Sequence, residues 1–212
     1  IYATGYWCSD DSDRCYHCEK SNSCRYGDGR LTQDPRLTRI FRAGSRTYFV
    51  SSIAFPSALQ ADVYALYAFV RTADNFVDQP PGLQDGRGFD RFREDYVRAV
   101  ASGSHSNHII NSFVELSMRK QFHSEWVDSF LDAMAQDLTQ SQYVTIDDTL
   151  QYMYGSAEVI GLMMASIMEL PQRAHGPARL LGRAMQYINF IRDISEDLQL
   201  GRTYLPLKEI EA

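Results

Sequence analysis

The sequence has no cysteine after residue 24, no dense Lys/Arg block and no apolar run near the ~18 residues of a membrane span. It also lacks internal repeats and the strict alternation of a half-buried strand. Each absence excludes a class. A main body without cysteine is not held by a disulfide framework. The apolar stretch IGLMMASIM stops at Glu169, so no transmembrane helix is expected. A net charge of −6 with no basic patch argues against a nucleic-acid partner. No Glu-x-x-His occurs, which removes a di-iron bundle. No signal peptide is visible in the sequence, and it does not begin with Met, so a missing true start is expected.

What is present is globular: 44% hydrophobic and 23% charged residues over 212 positions, the size of one domain. Residues 1–34 differ from the rest. They are polar, without a clear period, and hold all four cysteines, Cys8, Cys15, Cys18 and Cys24, with His17 among them. The C-x6-C-x2-C-x5-C spacing is open to a zinc or iron–sulfur site, since Cys-x2-Cys is a usual ligand spacing, and equally to a flexible arm of reduced thiols. Residues 35–212 form the second region.

From Pro35 the pattern is helical, giving an all-α domain of about six to eight helices with a site in the bundle interior. The expected segments run from Pro35 to Pro56, from Ser57 to Asp78 before QPPG, and then over Phe89–Val100, Ile109–Arg119 and Glu125–Thr139. Two long ones follow, from Asp147 to Leu170 and from Pro177 to near Gly201. Trp126, Phe130, Leu131, Met134 and Leu138 recur at core spacing. Gly155, Ala157 and Gly161 predict a close approach, by a helix or by a ligand chain. Met163, Met164 and Met168 are adaptable apolar groups suited to the floor of a lipid pocket or to a core gap.

Two stretches carry chemistry. In QYINFIRDISEDLQLGRTYLP, Gln186, Asn189, Asp193 and Asp197 fall within an arc of about 80° on a helix, beside an apolar arc. In ALYAFVRTADNFVD, Tyr67, Arg71, Asp74 and Asp78 fall within about 60°. Like charges four residues apart cost about 0.2–0.5 kcal/mol, so each pair calls for a cation. Mg²⁺ takes one or two carboxylates, keeps water and completes its shell with phosphate oxygens. Two such pairs predict facing walls of one cavity that holds a diphosphate. Ser45, Arg46, Thr47 and Tyr48 add hydroxyls and a guanidinium suited to phosphate oxygens.

These residues resemble the squalene/phytoene synthase family. The match runs through Leu181-Gly182, Gln186, Asn189, Arg192-Asp193, Asp197 and Arg202-x-Tyr204-x-Pro206. Tyr152 to Gly161 resembles a second signature, with Glu158 where a small residue is more usual. Arg71-Thr-Ala-Asp74-Asn-Phe-Val-Asp78 resembles the first Asp-rich motif, with Asn75 where many members have Asp, and looks most like prokaryotic phytoene synthases. The resemblance covers about residues 38–212 and implies an isoprenoid-synthase bundle with a central apolar cavity. Members usually continue with further helices, so a C-terminally incomplete domain is expected.

The resemblance also implies a reaction: head-to-head condensation of two isoprenoid diphosphates through a cyclopropyl diphosphate, with loss of diphosphate. The expected product is phytoene from two geranylgeranyl diphosphates. The alternative is squalene or dehydrosqualene from farnesyl diphosphate, with NADPH needed only for squalene. It implies Asp74, Asp78, Asp193 and Asp197 as ligands of Mg²⁺, or of Mn²⁺ in its place. Tyr67, Tyr152, Tyr204, Arg71 and Arg192 are the implied catalytic groups. Ser45, Arg46, Thr47, Tyr48, Gln186, Asn189 and Arg202 are the implied substrate-binding groups. A monomer in the cytoplasm, peripherally associated with a membrane for product release, is expected. Two rivals stand beside this reading. A head-to-tail prenyl diphosphate synthase is disfavoured by the Arg-x-Tyr-x-Pro tail, and an inactive helical scaffold by the four retained Asp.

Overall fold

The computed structural model describes residues 34–79 and 82–206. The cysteine-containing segment 1–33 and any metal site in it lie outside the described residues. Asp34 caps the first helix, α1 (Pro35–Gly44): its carboxylate accepts from the Arg36 backbone N–H, and Pro35 takes the first-turn position where no N–H is needed.

The described residues form ten α-helices in order: α1, α2 (Arg46–Ser52), α3 (Ser57–Val77), α4 (Gly86–Ser102), α5 (His108–Lys120), α6 (Ser124–Gln136), α7 (Ile146–Met153), α8 (Val159–Ile167), α9 (His175–Arg192) and α10 (Ile194–Gln199). The described residues contain no strand, only an isolated bridge between Gln142 and Thr203. The count exceeds the expected six to eight because each of three long predicted helices is divided. Ser45 is extended (φ −154°, ψ 109°), ending α1 and capping α2 with its hydroxyl. Asp193 (φ −100°, ψ 10°) separates α9 from α10. A π turn, Tyr154–Glu158, lies between α7 and α8.

α3 is the central element. It buries Val63, Tyr64, Leu66, Phe69, Ala73 and Val77 against its neighbours, and Phe69 stacks on Phe113 of α5 with centroids 3.8 Å apart. Its only fully buried charge, Asp62, accepts both Arg119 guanidinium nitrogens at 2.7 and 2.9 Å, so the charge is paired rather than orphaned.

α9 is fixed to the π turn and α8 by close backbone contact. A Cβ at Gly161 would overlap the Ala178 carbonyl, and one at Gly155 would overlap the Ser129 carbonyl of α6. The small residues thus serve helix–helix approach, one of the two roles expected of them. The unusual Glu158 is buried and is a clamp: Arg179 Nε donates to Oε2 at 2.8 Å and Arg183 Nε to Oε1 at 2.6 Å. Both carboxylate oxygens are satisfied by α9, which holds that helix at one height along the π turn. Leu180, Leu181, Ile188 and Ile191, on the outer side of α9, are exposed. No helix of the described residues is long and apolar enough to cross a membrane.

Candidate active site

One cavity of about 380 Å³ collects most of the singled-out residues. Ser45, Tyr48, Tyr67, Arg71, Asp74, Asp78, Tyr152, Gln186, Asn189, Arg192, Asp193, Asp197, Arg202 and Tyr204 all line it. Arg46 and Thr47 do not. They follow Ser45 by about 100° and 200° around α2 and are exposed outside the lining.

The first wall is the last turns of α3. Arg71 Nη1 donates to Asp74 Oδ2 at 2.5 Å, and Tyr67 stacks on Phe41 with centroids 4.0 Å apart. The Asp74 side chain keeps about 32% of its surface, but that surface opens into the cavity rather than outward. Burial, opposed by Arg71 and reinforced by Asp78, raises its carboxyl to about 6.

The second wall is α9 and α10. Asn189 Nδ2 donates to Gln186 Oε1 at 3.1 Å, and the Arg192 fork holds both Asp193 oxygens at 2.6 and 2.5 Å. Burial, with Asp193 and Asp78 as like-charged neighbours and Arg202 opposing, raises Asp197 to about 6. Asp78 of the first wall is thus a like-charged neighbour of Asp197 of the second.

Arg202 sits between the walls. It is buried, donates to the Val77 carbonyl and to Tyr204 Oη at 3.4 Å, and lies 3.7 Å from Asp78. Gln84 Nε2 reaches the same Val77 carbonyl at 2.9 Å and the Asp137 carbonyl at 3.0 Å, tying the ends of α3 and α6 together. The segment carrying Arg202 and Tyr204 is docked on α7, where the buried Thr149 hydroxyl donates to the Tyr204 carbonyl at 3.0 Å.

The lining also holds Val70, Phe130, Met134 and Phe190, beside the four tyrosines Tyr48, Tyr67, Tyr152 and Tyr204. Phe190 stacks face to face on Tyr204 at 4.7 Å, and Tyr204 on Tyr152 at 5.1 Å. The expected floor residues lie elsewhere. Met163 is packed in the core, Met168 is exposed, and neither these two nor Met164 lines the cavity. For Met163 the second expected role, filling the core, is the one the structure shows.

Sequence reasoning missed Asp137. It is buried at the cavity edge and accepts from Tyr152 Oη at 2.8 Å and from Tyr204 Oη at 3.0 Å. Burial, partly offset by these hydroxyls and by Arg202, raises it to about 7. Burial likewise holds Tyr152 and Tyr204 well above the ordinary phenol range. A signal was present: at the C-terminal end of α6, Asp137 falls at about 20° from Trp126 on a helical projection, within the apolar stripe near its Trp126 edge. A carboxylate on a core stripe is costly unless it is satisfied or used.

No group of three or more His, Cys, Asp or Glu among the described residues could hold an ion alone. Two facing pairs, with one acid of each pushed upward by burial and a like charge, fit a divalent cation that completes its shell with water and phosphate.

Comparison with known proteins gives the family. The sequence model of one family, described as Squalene/phytoene synthase, matches residues 41–212. The chain belongs to that family. It is 33% identical over 178 residues to the 15-cis-phytoene synthase of Pantoea ananas, covering 79% of this chain and 58% of that one. It is 30% identical over 193 residues to the phytoene synthase of Thermus thermophilus, covering 83% and 60%. A dehydrosqualene synthase crystallised with a ligand superposes with a TM-score of 0.76 at 25% identity, over 83% of this chain and 62% of that one. The squalene synthase HpnC of Alicyclobacillus acidocaldarius gives 0.73 at 24% and shares the all-α fold. The chain thus spans about three fifths of the length of the curated relatives it matches.

Proposed function

We propose that this squalene/phytoene synthase family member condenses two isoprenoid diphosphates head to head, with geranylgeranyl diphosphate as substrate and phytoene as product. The observation that carries the reading is that both carboxylate pairs line one cavity, together with the apolar side chains Val70, Phe130, Met134 and Phe190. Asp74 and Asp78 on one side and Asp193 and Asp197 on the other would hold Mg²⁺, or Mn²⁺ in its place. Bound there, the metal neutralises the charge of the departing diphosphate.

The chain's own residues supply the rest. Arg71 and Arg192 hold Asp74 and Asp193 in place and present positive charge at the cavity mouth. Ser45, Tyr48 and the Gln186–Asn189 pair offer donors toward phosphate oxygens. Arg46 and Thr47, outside the lining, reach a diphosphate only at the rim. Arg202 spans both walls. The stacked Tyr152, Tyr204 and Phe190 rings face the space where an allylic cation forms, and a cation over such a ring gains about 0.5–2 kcal/mol. Tyr67 closes the first wall. Phe130, Met134 and Val70 exclude water, which would otherwise quench the cation. The second double bond attacks the cation, a cyclopropyl diphosphate forms, and its ionisation opens the ring.

A C15 reading stands beside this one because the superposed structures are a dehydrosqualene and a squalene synthase. Only squalene formation would require hydride from NADPH. A monomer is part of the proposal, and so is a cytoplasmic location with peripheral membrane contact, because the hydrocarbon product is insoluble in water. Incubation with Mg²⁺ and either farnesyl or geranylgeranyl diphosphate, with and without NADPH, tests the reading by mass spectrometry. A C40 hydrocarbon without NADPH supports it. A C30 product moves it to the second reading, and no hydrocarbon from either substrate contradicts both.

A further inference from the structure

We propose that Ser156 sets the length of prenyl chain the cavity takes: its small side chain leaves the room that a fourth isoprene unit fills. The inference rests on the condensation reading above and names a specificity-determining residue within it. Of the five described residues of the π turn, Ser156 lines the cavity and the other four do not. Its neighbours are held by other helices. A Cβ at Gly155 would overlap the Ser129 carbonyl of α6, and the Ala157 carbonyl lies where a Cβ at Gly182 of α9 would stand. Glu158 is held by Arg179 and Arg183. The backbone is therefore pinned on both sides of Ser156, and a larger side chain there takes its volume from the cavity.

The depth of Ser156 follows from how the helices pair. Tyr152 lies against Phe190 with centroids 6.3 Å apart, Ala157 meets Gly182 and Gly161 meets Ala178, so the α7–α8 segment and α9 run antiparallel. At 1.5 Å per residue, Gly182 lies about 16 Å along α9 from Asp193. Ser156, next to Ala157, is thus roughly 15 Å from the acidic end of the cavity. An isoprene unit adds four bonds to a chain and, at about 1.5 Å per zigzag bond, spans roughly 5 Å. With its diphosphate at Asp193 and Asp197, a farnesyl chain ends near Ser156 and a geranylgeranyl chain passes it. The Ser156 hydroxyl is buried and has no hydrogen-bond partner. It does not bond back to a carbonyl of its own turn, the usual recourse of a helical serine. An unpaired buried hydroxyl lowers stability, so what Ser156 contributes is its size.

The test reads a ratio rather than a rate. Wild type, Ser156→Ala, Ser156→Leu and Ser156→Phe each receive an equimolar mixture of farnesyl and geranylgeranyl diphosphate with Mg²⁺ and NADPH. The C40 to C30 hydrocarbon ratio is measured by mass spectrometry, and helical circular dichroism is recorded for each protein. Wild type is expected to favour C40. Ser156→Phe, which adds about the bulk of one isoprene unit, is expected to lower the ratio at least about tenfold, with Ser156→Leu in between. Ser156→Ala keeps the room and removes the hydroxyl, so it should keep the wild-type ratio and melt no lower. A merely structural role would lower both products together, and that parallel loss overturns the inference. So does an unchanged ratio in Ser156→Phe or, if that variant does not fold, in Ser156→Leu. A shifted ratio in Ser156→Ala overturns it too, because polarity rather than size would then decide. When wild type makes C40 and the larger side chains leave the ratio alone, this inference alone fails. A wild type that favours C30 overturns the C20 substrate and this inference but leaves the condensation standing, and one that makes no coupled hydrocarbon overturns all three.

Discussion

The wall on α3 and the wall on α9–α10 carry the same four-residue Asp spacing on unlike supports. α3 buries nine residues, so Asp74 and Asp78 project from a helix gripped on several sides. α9 buries only Phe190, and Asp193 sits where the helix breaks. Each wall nevertheless has an arginine on the first Asp of its pair, Arg71 on Asp74 and Arg192 on Asp193. The second Asp of each pair is left to Arg202 and to whatever cation enters. One wall is placed by core packing. The other is placed by side-chain clamps, Glu158 with Arg179 and Arg183, on an otherwise exposed helix. Equal chemistry on unequal scaffolds means that function and stability should respond differently to the same substitution on the two sides.

The largest effect should be on turnover and should be symmetric. Asp74→Ala and Asp193→Ala are each expected to lower it by at least about 10²–10³-fold, with helical circular dichroism unchanged. A wall whose Asp→Ala variant retains activity is not a metal wall. Stability should be asymmetric. Phe69→Ala on α3 is expected to cost about 3–5 kcal/mol in urea unfolding, whereas Ile191→Ala on the exposed side of α9 should stay within about 0.5 kcal/mol. Equal losses would mean that α9 is supported in a way the fold does not provide.

pH sharpens the comparison further. Asp74 and Asp197 are raised above their unfolded values to about 6, so their contribution to metal-free stability is full below about pH 4 and is lost as pH rises through 6. Asp74→Asn should flatten that decline between pH 5 and 8 in denaturant titrations, and affinity for Mg²⁺ should rise over the same window as the carboxyls ionise. The smallest effect is expected at Arg192, whose exposed pair with Asp193 contributes about 0–1 kcal/mol to stability. Arg192→Ala should leave the melting curve nearly unchanged while weakening diphosphate binding.

How much of this was legible follows the same division. The bounds of α3, its apolar arc and both Asp pairs are written in local period, because a core helix between two breakers shows its faces directly. The break at Ser45 was also local, a capping serine after Gly44, but lay inside a run of good periodicity that concealed it. The break at Asp193 and the π turn were not legible. The π turn lies where helices approach closely, with Gly155 against the Ser129 carbonyl and Gly182 against the Ala157 carbonyl, contacts that no periodicity encodes. Asp137 was overlooked because the α6 stripe reads as core around it, and its partners Tyr152 and Tyr204 are 15 and 67 residues away.

The central claim is that two walls form one site for a metal-bound diphosphate. Calorimetric titration of inorganic pyrophosphate in the presence of Mg²⁺ tests it most directly, on wild type, Asp74→Ala, Asp193→Ala and the double variant. The account predicts that either single change removes most of the affinity and that the double variant is little worse, because each wall needs the other. Independent, additive losses, or a single variant that binds as wild type does, would contradict it.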